Sequence, residues 1–317
     1  MTLPTLIRYE DVAPLFSWPA AVEALRAGHL RPKARVGDIF LGPSAGSLLS
    51  RGAYIEGVGF GVKSVTVFGG NPAVGLPSVQ GAMFMFEPDH GALTAIIDSK
   101  IVTELKTAAD SVLGASLLAR ADSETLLIVG AGTVARSLIH AYTAVFGSIR
   151  RIRIWSRRPE QAQSLARDVQ IDGVDIAAAP DLATAASSAD IISTATMARD
   201  PVLHGEWIRP GTHVDLIGAF KADMREADDA LISAAKLFVD SRETTIHHIG
   251  ELMIPIAAGV ISADAVQGDL YDLITGKAHA ARAPTDITVF KNGGGAHLDL
   301  MIATYIASVA GSNFKRA

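Results

Sequence analysis

Cysteine is absent from the 317 residues of the sequence. This absence excludes disulfide bonds, thiolate catalysis and every metal site that uses a cysteine ligand. Nine histidines are present, but the adjacent pair His247 and His248 lacks the same-face spacing that lets two imidazoles bind one metal ion from a helix. We therefore predict no metal site. A chain without cysteine also suits a reducing cytoplasm.

Charged residues make up only 19% of the sequence, and the formal net charge is -5. Acidic and basic residues are interspersed, so we expect no basic surface that could bind a nucleic acid or an anionic membrane. No apolar run approaches the length of a membrane helix, and the first residues lack the basic-then-apolar order of a secretion signal. We therefore expect a cytoplasmic protein without nucleic-acid or membrane partners.

The length exceeds the usual size of a single hydrophobic core, so we expect two lobes that share one active site. The first lobe begins with an extended stretch at 5–9 and a helical pattern at 19–30. Residues 47–98 contain extended runs separated by glycine, proline and asparagine, which predicts an antiparallel sheet. Asp89-His90-Gly91 has the composition of a tight hairpin turn. A helix is predicted at 100–119.

After Ser123 the pattern changes to alternating strands and helices, which is typical of a parallel sheet. Strands are predicted at 125–129, 151–155, 190–194, 213–217 and 237–240, and helices at 134–146 and 159–169. The closing segment 286–310 has the pattern of a strand, a glycine-rich turn and a helix, and we expect it to rejoin the first lobe. The predicted fold class is α/β. A Rossmann-type doubly wound parallel sheet occupies 119–287, and a discontinuous α+β lobe is formed by 1–118 with 288–317.

A glycine motif lies between the predicted strand at 125–129 and the following helix. Its residues Gly130, Gly132 and Ala135 match the G-x-G-x-x-A form of a dinucleotide-binding turn. Gly130 allows the tight turn, Gly132 lets the backbone approach a pyrophosphate, and Ala135 permits close packing of helix on sheet. The first turn of the helix attracts the phosphates. The motif therefore predicts a nicotinamide dinucleotide cofactor.

The end of the next predicted strand carries Ser156, Arg157 and Arg158. An NAD enzyme usually presents an aspartate or glutamate to the ribose hydroxyls at this point. A hydroxyl and guanidinium groups suit a 2′-phosphate instead, because arginine binds phosphate through a forked pair of hydrogen bonds. We predict NADPH as the cofactor, with NADH as the alternative.

Along nearly its whole length the chain resembles the ornithine cyclodeaminase and mu-crystallin family. The resemblance rests on Gly61-Val62-Lys63 with Asn71, on 103–109, on the Gly130 motif, on 205–211 leading to Gly218, and on 290–299. It implies a homodimer whose discontinuous lobe binds substrate and carries the subunit contact. The cofactor-binding residues that we predict are Thr107, Gly130, Ala131, Gly132, Thr133, Val134, Ser156, Arg157, Arg158, Thr194, Ala195, Thr196, Ile217 and Gly218.

The same resemblance implies that Lys63 and Lys106 hold a substrate carboxylate beside the nicotinamide. Paired cations offset the cost of removing that carboxylate from water. Most relatives have arginine at the position of Lys106, so the bidentate fork is replaced here by a point charge. A further family cation is supplied by Arg35 or Arg51. Both are therefore predicted substrate-binding residues.

Cyclodeaminases of this family place a catalytic aspartate where this sequence has Phe220. Phenylalanine cannot accept a proton, so cyclodeamination loses its acid-base group unless Asp223 or Asp215 replaces it. Imine reduction needs chiefly carboxylate anchoring and hydride delivery. The ring of Phe220 and the glycine turn at Gly294 are predicted to contact the substrate, and His297 is a candidate proton donor because its pKa can lie near neutrality.

The resemblance therefore favours reduction of a small cyclic amino-acid-like substrate. We expect 1-pyrroline-2-carboxylate or 1-piperideine-2-carboxylate to be reduced to L-proline or L-pipecolate. Three alternatives stay open at this point: an ornithine cyclodeaminase, a reductase of linear imines like the related alanine dehydrogenases, and a mu-crystallin-like ligand-binding protein with residual ketimine reductase activity.

Overall fold

A computed structural model describes residues 3–43, 45–279 and 282–314. The chain divides into two compact units, Met1–Lys106 with Gly295–Ala317 and Thr107–Gly294. Each unit is built on one β-sheet. Within the described residues, no helix combines the length and the apolar character needed to cross a membrane.

The strands have the following bounds: β1 Thr5–Ile7, β2 Arg35–Leu41, β3 Ser47–Ile55, β4 Gly59–Val67, β5 Val79–Phe86, β6 Leu93–Asp98, β7 Thr125–Val129, β8 Arg151–Trp155, β9 Asp175–Ala178, β10 Ile191–Thr194, β11 His213–Leu216, β12 Lys236–Val239, β13 Val266–Gly268 and β14 Thr288–Lys291. The α-helices are α1 Tyr9–Val12, α2 Trp18–His29, α3 Ser99–Leu118, α4 Thr133–Val145, α5 Pro159–Asp168, α6 Leu182–Ser188, α7 Asp229–Ala234, α8 Arg242–Thr245, α9 Gly250–Ala257, α10 Leu270–Ile274 and α11 Ala296–Phe314.

The first unit contains a six-stranded sheet in the order β1-β6-β5-β4-β3-β2. Strands β2 to β6 pair antiparallel, as predicted for 47–98, and β1 adds in parallel to β6. Gly91 has a φ of 71° in the turn between β5 and β6, which explains the glycine of that hairpin. Helix α11 packs on β2 to β5 and covers the face that carries Lys63. A Cβ at Gly61 would lie 2.9 Å from Leu300 Cδ1, so glycine at this position allows α11 to approach the sheet closely.

The opposite side of this sheet, here called the outer sheet face, carries a group of exposed apolar side chains. Strand pairing places Leu6, Ile39, Leu41, Leu48 and Phe60 on it, because side chains alternate between the two faces of a strand. Phe60 is 45% exposed and Leu41 is 59% exposed. Apolar side chains grouped in this way on one face are typical of a surface that binds another protein.

The second unit contains an eight-stranded parallel sheet in the order β13-β12-β14-β11-β10-β7-β8-β9. The five residues of β7 are all buried, which is typical of a strand covered on both faces. β7 and β8 begin and end where the sequence predicts them. The prediction of a Rossmann-type α/β fold with a second lobe is confirmed.

The closing segment divides between the two units, whereas the sequence pattern assigned it to the first lobe. Strand β14 pairs with β11 and β12 inside the second unit's sheet, and only α11 belongs to the first unit. Residues 107–118 likewise belong to the second unit, because α3 runs without a break across the boundary. A four-residue buried strand contains no local signal of which sheet it joins, and α3 has no break where the units divide. The predicted boundaries at 118 and 288 therefore differ from the observed ones, at 106 and 294.

Candidate active site

Lys63 lies on β4 of the first unit and is buried. Its Nζ donates a hydrogen bond to Asp299 Oδ1 at 2.7 Å and one to Thr103 Oγ1 at 3.4 Å. The Asp299 side chain is only 1% exposed, and its Oδ2 has no hydrogen-bond partner among the described residues. Burial of one charge next to its opposite offsets the desolvation cost of both. The ammonium group is therefore held in a fixed position by α11 and α3.

Cross-strand pairing separates the two arginines that the sequence left as alternatives. Arg51 is directly opposite Lys63 on β3 and shares its face of the sheet, whereas Arg35 pairs with Tyr54 and points to the outer sheet face. Arg51 forms an ion pair with Asp38, with Nη2 2.8 Å from Oδ2. The face shared with Lys63 favours Arg51 over Arg35 as the additional cation.

His297 and Lys106 are both buried residues of the first unit. The His297 ring lies 5.8 Å from the ring of His29 in an edge-to-face arrangement. Burial, helped by the nearby His29, Lys106, Arg51 and Lys33, lowers the pKa of His297 well below its usual value. Burial likewise lowers the pKa of His29 to about 4. Both imidazoles are therefore neutral at neutral pH, which disfavours the predicted use of His297 as a proton donor.

In the second unit, the predicted dinucleotide turn has the required backbone. Gly130 has a φ of 129°, and a Cβ there would lie 2.5 Å from Ala195 O, so a side chain is excluded for two separate reasons. Gly132 precedes α4 and has open space where its Cβ would be. Helix α4 lacks a side-chain cap and has no acidic residue in its first turn. Its N-terminal amides are therefore available to a pyrophosphate, as are the adjoining Ala131, Thr133 and Val134.

The other predicted cofactor residues of the second unit lie where the parallel strands end. Thr194 closes β10 and is followed by Ala195 and Thr196, while Ile217 and Gly218 follow β11. Ligands bind at the carboxyl ends of the strands in sheets of this type. Thr107, in α3, accepts a hydrogen bond at its carbonyl from Asn292 Nδ2 at 3.1 Å, and so helps to fix the glycine-rich turn after β14.

Ser156, Arg157 and Arg158 follow β8 and lead into α5. Arg157 and Arg158 are exposed, and the amide of Arg158 donates to Ser156 Oγ at 3.4 Å. No carboxylate occurs among these three residues, as the sequence already shows. The side chains at this strand end can therefore accept a phosphate without displacing an anion.

Phe220 follows β11 and is 51% exposed, with Lys221 Nζ 5.5 Å from its ring centroid. The two carboxylates that could replace the missing aspartate are both engaged. Asp223 pairs with Arg199 at 3.0 Å, and Asp215 is fully buried and accepts hydrogen bonds from Ser193 and Tyr142. Burial raises the pKa of Asp215 to about 7 against the opposing effect of these hydrogen bonds. Asp215 is therefore enclosed, whereas the ion pair of Asp223 is largely exposed.

The predicted substrate contact at Gly294 belongs to a turn held by a buried carboxylate. Gly294 has a φ of 70°, and its amide donates to Asp240 Oδ2 at 2.5 Å. The amide of Gly293 donates to the same oxygen at 2.9 Å. The turn after β14 is therefore ordered by Asp240, at the end of the neighbouring strand β12. Within the described ranges, no group of three or more histidine, aspartate and glutamate side chains could hold a metal ion.

Comparison with known proteins identifies the family. The model of the "Ornithine cyclodeaminase/mu-crystallin family" matches residues 39–313. The chain belongs to this family. Within it, the chain is 63% identical over 306 residues to the Delta(1)-pyrroline-2-carboxylate reductase of Paracoccus denitrificans, covering 96% of this chain and 97% of that protein.

Two solved structures superpose on nearly the whole chain. One is the Delta(1)-pyrroline-2-carboxylate reductase of Thermococcus litoralis in complex with NADH and L-proline, with a TM-score of 0.91 and 29% identity over 98% of both chains. The other is an archaeal alanine dehydrogenase dimer with bound NAD, with a TM-score of 0.91 and 28% identity over 98% of this chain and 97% of that one. The family resemblance predicted from the sequence is confirmed.

Three carboxylates that no sequence pattern singles out hold residues of the predicted site in place. Asp299 binds Lys63, Asp240 holds the turn at Gly294, and Glu226 joins two loops that are predicted to bind the cofactor. Asp299 lies within the 290–299 stretch that carried the resemblance. Its partner is 236 residues away, however, and no spacing rule links the two.

Proposed function

We propose that this protein reduces 1-pyrroline-2-carboxylate to L-proline with a nicotinamide dinucleotide. The observation that carries the proposal is the 63% identity to a reductase of this substrate over 96% of the chain. The buried, fixed ammonium of Lys63 agrees with it, because the substrate is a carboxylate. The six-membered 1-piperideine-2-carboxylate has the same reacting atoms and is the second substrate that we propose.

The residues of the first unit have the chemistry to anchor the substrate. Lys63 and Lys106 are buried basic residues that can attract the carboxylate of the substrate. Arg51 adds a guanidinium on the same sheet face as Lys63. The glycine turn and helix α4 of the second unit would hold the pyrophosphate of the cofactor. When bound, the nicotinamide supplies the hydride.

The protein binds the substrate in its iminium form in this proposal. Hydride addition to the ring carbon of the iminium gives the amine directly, so the electrons and the charge balance without a further proton at that step. The neutral, buried His297 and the phenyl ring of Phe220 are consistent with this route, since neither has to supply a proton. The iminium and carboxylate charges cancel within the substrate, which lowers the cost of desolvating it.

The proposal is tested with a panel of substrates followed by the absorbance of the reduced nicotinamide. The panel contains 1-pyrroline-2-carboxylate, 1-piperideine-2-carboxylate, and pyruvate with ammonia, each with NADPH and with NADH. We expect the highest kcat/KM with a cyclic imine. A higher kcat/KM for pyruvate with ammonia would instead assign the protein to the reductases of linear imines.

We further propose that NADPH is the preferred cofactor, because Ser156, Arg157 and Arg158 offer a hydroxyl and two exposed guanidinium groups at the end of β8. A 2′-phosphate is a dianion at neutral pH and binds arginine through charge-assisted hydrogen bonds. The related reductase from Thermococcus litoralis was solved with NADH. The proposed preference for NADPH therefore rests on the side chains of this chain and not on that relative.

Replacement of Arg157 by alanine tests this preference. We expect Arg157→Ala with Ser156→Asp to weaken NADPH binding while NADH binding is retained, because only NADPH carries the 2′-phosphate. A charged hydrogen bond contributes roughly 1.5–3 kcal/mol, so the ratio of the two dissociation constants should change at least about tenfold. Fluorescence titration with each cofactor measures the two dissociation constants and so gives this ratio. An equal loss for both cofactors would show that Arg157 does not bind the 2′-phosphate.

We also propose that the protein is a homodimer in which a second copy of the chain covers the outer sheet face. The exposed side chains Ile39, Leu41 and Phe60 give this face an apolar surface that water solvates poorly. One relative of similar fold is a dimer. A closed twofold interface uses the same patch on both copies, and a single apolar sheet face meets that requirement.

Charge introduced on the outer sheet face should separate the subunits. We expect the unmodified protein to have twice the chain mass of 33.2 kDa, and Ile39→Lys with Phe60→Lys to have the mass of one chain. Two desolvated, unpaired ammonium groups per subunit cannot be accommodated in an apolar interface. Light scattering coupled to size exclusion measures both masses. Val260→Lys, which changes an exposed valine of the second unit, is the control and should remain dimeric.

A further inference from the structure

Two loops at the carboxyl end of the parallel sheet are joined by one buried side chain. The first loop follows β10 and contains Thr196, and the second follows β11 and contains Gly218. Glu226, which is fully buried, lies between them. The two loops approach so closely that a Cβ at Gly218 would overlap Thr196 O and Glu226 Oε1.

The carboxylate of Glu226 accepts four hydrogen bonds. Oε1 accepts from Thr196 N at 2.8 Å and from Thr196 Oγ1 at 2.7 Å. Oε2 accepts from Thr194 Oγ1 at 2.7 Å and from Gly218 N at 2.6 Å. Each oxygen therefore accepts two hydrogen bonds. Oε2 joins the end of β10 to the loop after β11, in addition to the backbone hydrogen bond from Ile217 N to Thr194 O at 3.0 Å.

The backbone of Glu226 is itself fixed from both sides. Its carbonyl accepts from the amides of Val202 and Leu203, both at 2.9 Å. Its amide donates to Glu251 Oε2 at 2.8 Å, and the amide of Ala227 donates to Glu251 Oε1 at 2.9 Å. Glu226 is thus a rigid support and not a flexible side chain that follows the loops.

We propose that Glu226 is a positioning residue for the cofactor: it sets the separation of the loops at 194–196 and 217–218, and so shapes the nicotinamide dinucleotide site without belonging to its contact surface. This inference rests on the proposed function, because those loops are the ones that we assign to the cofactor. The paired strand ends supply one backbone hydrogen bond between the loops, from Ile217 N to Thr194 O. The four hydrogen bonds to the Glu226 carboxylate add a constraint beyond it, at Thr196 and Gly218.

The variant Glu226→Gln tests the role. Glutamine keeps the shape but replaces one acceptor oxygen with an NH2 group, which then faces donors and cannot accept from them. We expect the dissociation constant of NADH, measured by fluorescence titration, to rise about 10- to 100-fold. We expect kcat at saturating NADH and the KM for the cyclic imine to change by less than about threefold, because the substrate anchors lie in the first unit.

Asp190→Asn is the matched control. Asp190 Oδ2 accepts from the amides of Glu124 and Thr125, each at 2.9 Å, at the opposite end of the same sheet. The Asp190→Asn variant should have a lower melting temperature and an unchanged dissociation constant for NADH. A similar rise in the dissociation constant of NADH in both variants would show a general loss of structure and overturn the proposal. An unchanged dissociation constant in folded Glu226→Gln would also overturn it.

If Glu226→Gln does not fold, Thr194→Val and Thr196→Val each remove one hydroxyl donor and leave the carboxylate in place. We expect each to raise the dissociation constant of NADH by a smaller factor. An unchanged value in both would overturn the proposal. Failure of the unmodified protein to bind NADH or NADPH would instead contradict the proposed function, so the two failures are distinguishable.

Discussion

Lys63→Met should lower kcat/KM for 1-pyrroline-2-carboxylate at least about 30-fold at saturating cofactor, because truncation of one partner of a buried charge pair typically costs about 2–5 kcal/mol. The substrate carboxylate would enter the site without the ammonium that offsets its desolvation. The variant should also be less stable. Asp299 is paired with Lys63 at 2.7 Å and would be left buried with its charge uncompensated, at a cost of about 3–5 kcal/mol.

The double variant Lys63→Met with Asp299→Asn separates the two effects. It removes both charges, so the free energy of unfolding, measured in urea, should return close to that of the unmodified protein. The kcat/KM should stay as low as in Lys63→Met. Recovery of activity together with stability would mean that Lys63 acts only in folding. An undiminished kcat/KM in the single variant would exclude Lys63 as the substrate anchor.

L-Ornithine should yield no ammonia above background with this protein, even with added NAD. Conversion of ornithine must first take a proton from a cationic amine, and the residue at the decisive position is Phe220, whose ring cannot accept one. Asp223 forms an exposed ion pair with Arg199, and Asp215 is fully buried and accepts hydrogen bonds from Ser193 and Tyr142, so we expect neither to act as the base. The test measures ammonia released from L-ornithine with added NAD, beside an assay of cyclic imine reduction with the same protein.

Phe220→Asp and Phe220→Asn form the matched pair for this prediction. The aspartate supplies the missing base, while the asparagine has the same size without the charge. We expect at most slow ammonia release from Phe220→Asp and none from Phe220→Asn, because the groups that would orient a new carboxylate have not been selected for it. Efficient ammonia release by the unmodified protein would make it a cyclodeaminase and show that another residue provides the base.

Local patterns in the sequence predicted the glycine turn of the second unit and its strands β7 and β8, but not β9, β13 or the place of β14. The glycine turn and its flanking strand are predictable because backbone conformation is encoded within ten neighbouring residues, and Gly130 indeed has a φ that excludes side chains. The antiparallel sheet of the first unit was predictable for the same reason, since alternation has a period of two residues.

The pairings that organise the site were not predictable from the same patterns. Lys63 and Asp299 meet only because α11 returns to β4, and no periodicity encodes that contact. Glu226 lies in an irregular segment that carries no period at all. The choice between Arg35 and Arg51 needed the strand register, which decides the face of the sheet and is fixed by pairing partners far along the chain.

The position of β14 has a consequence for the order in which the chain can fold as it is synthesised. β11 and β12 are separated in the sheet by β14, which follows both of them along the chain. Until residue 291 leaves the ribosome, the backbone N–H and C=O groups on the facing edges of β11 and β12 stay unpaired, for a few seconds at about 10 residues per second. Exposed edges of this kind recruit other chains. Translation speed between Val239 and Thr288 should therefore govern the yield of folded protein, and a chaperone that shields these edges should raise it.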